Sequence, residues 1–152
     1  MPDNCCTADE NIMILPCSGG SNAGQLSNQA AVELTQEGFG KMCCLAGIGG
    51  GLSGFVQSAK DVDKMIVIDG CDLACGKTTL EKTGVPLKKH IVVSELDIHK
   101  DKSLNVSPED VATVKHAVKL AFKYPIKVSF DSPQPLSPGD RARSKMFGEK
   151  CC

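Results

Sequence analysis

Three times along the chain, a short apolar run ends in a glycine-containing turn and gives way to helical spacing. Ile12-Met13-Ile14-Leu15 is followed by Pro16-Cys17-Ser18-Gly19-Gly20, and then Ala23, Leu26, Ala30 and Leu34 fall on one face of a helix from Ser21 to about Glu37. Met42 to Ala46 reads as a second strand, Gly47 to Gly51 as its turn, and Leu52, Phe55, Val56 and Ala59 as the next helical stripe. Met65-Ile66-Val67-Ile68 opens the third unit, whose helix ends near Thr83, before Gly84 and Pro86. Strands that alternate with helices bury both faces of a parallel sheet. The expected architecture is therefore three-layer α/β: a mostly parallel, four- to five-stranded, Rossmann-like sheet with helices on both faces.

The remaining elements extend the pattern. His90 to Ser94 is the fourth strand candidate and Ile126 to Phe130 the fifth. Between them lies a helix that Ser107 caps and Pro108 begins, with Asp110 at its third position. Val111, Val114, Val118, Ala121 and Phe122 form its apolar stripe, and Lys119 and Lys123 sit in its last turns, where the helix dipole favours cations. Residues 1–10 read as an N-terminal tail, 11–130 as one domain, and 131–152, with Pro133, Pro135 and Pro138, as a C-terminal tail.

Several partner classes lose support from composition. A net charge of −1 and the absence of a long basic run give no electrostatic case for a nucleic-acid partner or a charged membrane surface. With no Trp and a single Tyr, the chain offers no base-stacking platform. No apolar run approaches the roughly 20 residues of a membrane-spanning helix. Met1-Pro2-Asp3-Asn4 does not resemble a signal peptide, so a cytoplasmic location is expected.

Nine cysteines stand out against that background. In a reducing compartment clustered cysteine points to metal or redox chemistry more than to lasting disulfides. Sites in parallel sheets gather beyond the carboxyl ends of strands. Cys17 directly follows the first strand, Cys44 lies near the end of the second, and Cys71 and Cys75 follow the third. The topology thus brings four thiols, far apart in sequence, to one edge. Thiolates suit zinc or an iron–sulfur cluster, and a helix beginning near Cys71 and Cys75 would favour their thiolate form.

Two phosphate-binding patterns compete for the same turns. Gly70 and Gly76-Lys77-Thr78 resemble a P-loop, but five residues separate the glycines where the motif has four, and Asp72 would set a negative charge beside a phosphate. Gly49-Gly50-Gly51-Leu52-Ser53-Gly54 fits G-x-G-x-x-G, with Asp69 about 20 residues on. This second match keeps open an alternative: a thiol-redox or metal-dependent enzyme that uses the Gly49–Gly54 turn for an anionic or nucleotide substrate. No catalytic constellation emerges from the sequence.

The stretches "LPCSGGSNAGQLSNQAA", "CLAGIGGGLSGFVQSAKD" and "VIDGCDLACGK" resemble the DGC-domain family, from about Ile12 to Leu96, with Asp69-Gly70-Cys71 as the Asp-Gly-Cys that gives it its name. The resemblance implies zinc binding, with Cys17, Cys44, Cys71 and Cys75 as the metal cysteines; an iron–sulfur cluster is the alternative from ligand type. It also selects Cys44 over Cys43, which is expected in the core because neighbours on a strand face opposite ways. Asp69 and Asp72 are candidates to support the ligands, Asp72 equally as a helix cap. His90, His99 and His116 are read as surface or boundary residues. Cys5-Cys6 and Cys151-Cys152 suggest either incidental thiols or exchange with a thiol or metal-transfer partner.

Overall fold

The computed structural model describes residues 12–123. Its strands are β1 (Ile12–Pro16), β2 (Lys41–Met42), β3 (Lys64–Asp69) and β4 (His90–Val92). They form one sheet in the order β2-β1-β3-β4, and every pairing is parallel. The helices are α1 (Asn22–Gln36), α2 (Leu45–Gly49), α3 (Ser53–Asp61), α4 (Cys75–Thr83) and α5 (Pro108–Lys123), with a 3-10 turn at Val93–Glu95. The expected α/β architecture is present. The fifth strand candidate at 126–130 and both tails lie outside the described residues.

Each sheet face carries its own core, as strand alternation requires. Ile12, Ile14, Ile66 and Ile68 point one way and pack with Leu26 and Leu34 of α1 and Val111, Val114 and Val118 of α5. Met13, Leu15, Met65 and Val67 point the other way, toward Ile48 of α2, Ala59 of α3 and Leu80 of α4. The apolar spacing predicted for α1 and α5 is the buried face of each.

Helix caps fix where α1 and α5 begin. Ser21 Oγ accepts the Gly24 N–H at 3.1 Å, and Ser107 Oγ accepts the Asp110 N–H at 3.1 Å, as the sequence predicts. Lys115 then ties the two helices by ion pairs to Glu33 and Glu37, and Lys119 pairs with Glu37 at 2.7 Å.

Two elements differ from expectation. Met42 to Ala46 is not a strand: β2 stops at Met42, and Leu45 opens a short helix. A brief apolar run has no period that distinguishes strand from helix. Here Cys44 takes the cap position and its Sγ accepts the Gly47 N–H at 3.4 Å. The fourth strand also ends early, at Val92, because the chain tightens into the 3-10 turn at Val93.

Candidate metal centre

The order β2-β1-β3-β4 has its reversal between β1 and β3, where α/β sheets open a crevice beyond their carboxyl ends. Cys17 leaves β1 at that point and Gly70-Cys71 leave β3 beside it. The Gly70 N–H donates to Cys17 Sγ at 3.2 Å, and Cys17 Sγ lies 3.5 Å from Ser27 Oγ. A Cβ on Gly70 would sit 2.7 Å from the Gly24 backbone nitrogen, so only glycine lets the first turn of α1 come this close. The glycine of Asp-Gly-Cys is thus a packing requirement that also aims an N–H at sulfur.

The aspartate of the same tripeptide has a different task. Asp69 is 1% exposed. Its Oδ1 accepts the Gly76 N–H at 2.7 Å, its Oδ2 accepts the Lys77 N–H at 3.1 Å, and Oδ2 lies 2.9 Å from His90 Nε2. The carboxylate therefore caps α4 from the end of β3. The residue in the cap position, Ala74, is left-handed (φ 48°) and makes no side-chain cap bond. Capping falls to Asp69, not to Asp72. Gly76 is needed here too: a Cβ would lie 2.6 Å from Val67 Cγ1 and 3.0 Å from Asp69 Oδ1.

This arrangement disposes of the P-loop resemblance. The first amides of α4, which a phosphate would use, already serve an internal carboxylate. The Gly49–Gly54 turn also lacks the strand that the dinucleotide fingerprint needs before it, because α2 intervenes and Gly49 is its last residue. Gly51, with φ +70°, turns the chain between α2 and α3.

The other cysteines distribute unequally. Cys17, Cys44 and Cys75 line a cleft of about 340 Å³ between β1, α2 and α4, together with Cys43 and Met42. Cys71 does not line this cleft; its Sγ accepts a hydrogen bond from Lys100 Nζ at 3.3 Å. Among the described residues, no three Cys, His, Asp or Glu side chains are drawn together as a preformed metal site. The donor chemistry nevertheless fits a thiolate-bound metal. The sulfurs of Cys17, Cys44 and Cys71 receive N–H donors, the outer contacts that tune metal–thiolate sites.

Sequence reasoning missed two participants. Cys43 enters the cleft because β2 has already ended, so the strand alternation that set it apart from Cys44 does not apply. It also packs against the second core, as expected of it. His90 reaches Asp69 although 21 residues separate them; only the β3–β4 register, with Val67 opposite His90, brings them together. His99 and His116 are exposed, as expected.

Fold and site define a parallel α/β domain with a cysteine-lined crevice at the carboxyl edge of its sheet. A family model of the DGC domain matches residues 13–118, and the chain belongs to the DGC-domain family, which is associated with metal binding. It is 34% identical over 88 residues to the "Anaerobic and virulence modulator AnvM" of Pseudomonas aeruginosa, across 58% of this chain and 67% of that protein. No solved structure matches the chain significantly. Among the described residues, no helix is long and apolar enough to cross a membrane.

Proposed function

We propose that this chain binds zinc through Cys17, Cys44, Cys71 and Cys75 and exchanges it, in a metal-sensing or metal-transfer role. The carrying observation is the set of N–H donors at these sulfurs: Gly70 to Cys17, Gly47 to Cys44 and Lys100 to Cys71. Bound by four thiolates, zinc would keep no water and would organise this edge instead of catalysing hydrolysis.

Exchange follows from how loosely the sulfurs are gathered. Cys71 stands outside the cleft that Cys17, Cys44 and Cys75 line, so closing a four-sulfur shell requires its sulfur to move toward theirs. A site that must reorganise to bind holds its ligand less tightly than a preorganised one.

The full chain, purified without chelator or oxidant, should carry about one zinc per molecule and lose it when Cys71 and Cys75 are both changed to Ser. Elemental analysis checks this. A metal-free preparation would sink the proposal, and a brown protein with charge-transfer absorbance would replace zinc with an iron–sulfur cluster.

A further inference from the structure

The cleft holds a sulfur that the zinc reading does not use. Cys43 lines it beside Cys17, Cys44 and Cys75, and Met42, a residue 38% exposed, lines it too. No carboxylate or imidazole is among the described lining residues. The side-chain oxygens present are two hydroxyls, and both are engaged elsewhere: Ser18 Oγ donates to Asn28 Oδ1 at 2.9 Å, and Thr79 Oγ1 donates to the Cys75 carbonyl at 2.8 Å. The wall is otherwise apolar or backbone. The soft donors among the described lining residues are sulfurs, thiol from the cysteines and thioether from Met42.

We infer that this cleft is a site for a soft monovalent d10 metal ion, Cu(I), with Cys43 as a ligand and Met42 as a supporting thioether. Soft thiolate and thioether ligands suit Cu(I), whereas zinc is ordinarily held by Cys, His, Asp or Glu and not by thioether. Cu(I) also accepts fewer ligands than tetrahedral zinc. It therefore does not need Cys71, which stands outside the cleft. The inference rests on the cleft used in the zinc reading but divides its cysteines differently: Cys43 serves copper and Cys71 serves zinc.

The test uses the full-length chain with Cys5, Cys6, Cys151 and Cys152 changed to Ser, so that the five described cysteines are the only thiols. Cu(I) is titrated anaerobically against a chromogenic Cu(I) chelator, and zinc content is measured on the same variants. One Cu(I) per chain is expected. Cys43→Ser should weaken it at least about tenfold, Met42→Leu by a smaller factor, and Cys71→Ser by less than about twofold. Equal losses in Cys43→Ser and Cys71→Ser, or none in Cys43→Ser, would overturn the inference. Should Cys43→Ser fail to fold by circular dichroism, Met42→Leu decides, and unchanged copper competition there refutes the site. Copper behaving as expected in a chain that takes no zinc refutes the zinc reading alone. Zinc lost in Cys71→Ser, with copper lost equally in that variant, refutes this inference alone.

Discussion

The two faces of the sheet are built to different standards. One face is covered by α1 and α5, of 15 and 16 residues, each capped by a serine and locked to the other through Lys115 and Lys119. The other is covered by helices of five, nine and nine residues, where α3 and α4 have no side-chain bond from their own cap residues. That second face leaves Leu52 55% and Phe55 38% exposed, and it carries Cys43, Cys44 and Cys75. The difference teaches where each property resides. Long, capped, ion-paired helices hold the fold, and short helices frame the cleft that the thiols line.

The largest effect should come from weakening the well-built face. Leu34 is fully buried between α1 and α5, and Leu34→Ala should destabilise the domain by about 2–5 kcal/mol in denaturant unfolding. Phe55→Ala on the cleft face should cost less than about 1 kcal/mol, because its ring is already partly in water. Equal costs would erase the distinction between the faces.

A middle effect is expected at the point where cleft and fold meet. Asp69→Ala leaves two buried-end amides of α4 and the His90 ring without their acceptor, which should cost about 1–3 kcal/mol. The same variant should lower zinc retention, since α4 positions Cys75. Normal stability with normal metal content would show that the carboxylate serves neither role.

The smallest effect separates the faces by pH. Lys115 holds the carboxyls of Glu33 and Glu37 below their usual range, with help from Gln29 and Lys119 respectively. Groups whose folded value is depressed give stability that is present above the ordinary carboxylate range and fades as pH falls through the lowered values. Hydrogen bonds to the same two glutamates raise the Lys115 value, so its share is present below the ordinary lysine range and fades only in strong alkali. Melting curves between pH 3 and pH 6 should therefore show a modest acid loss, reduced in Lys115→Met. An identical acid loss in that variant would assign it to other carboxylates.

Much of this was legible before any coordinates. Long periodic helices with Ser caps, and strands of pure β-branched and aliphatic residues, announce themselves because their signals are local. Ser107 and the run Met65–Ile68 are of that kind. The cysteines at the strand ends followed from topology, and their common edge is where the sheet order reverses. What escaped were features fixed by a few residues or by distant pairing. Cys44 caps a five-residue helix that no periodicity could reveal. Asp69 displaced Asp72 as the cap because Ala74 turns left-handed, a conformation that alanine does not advertise. Cys43 lines the cleft as well as packing on the second core, because the strand before it stopped short.

The carboxylate at the start of α4 also decides what the crevice ignores. Many α/β domains leave that helix end open to dissolved phosphate and nucleotides, which then compete with any other occupant of the edge. Here the position is filled from within by Asp69. The start of α4 is thereby closed to phosphate, however much of it surrounds the protein.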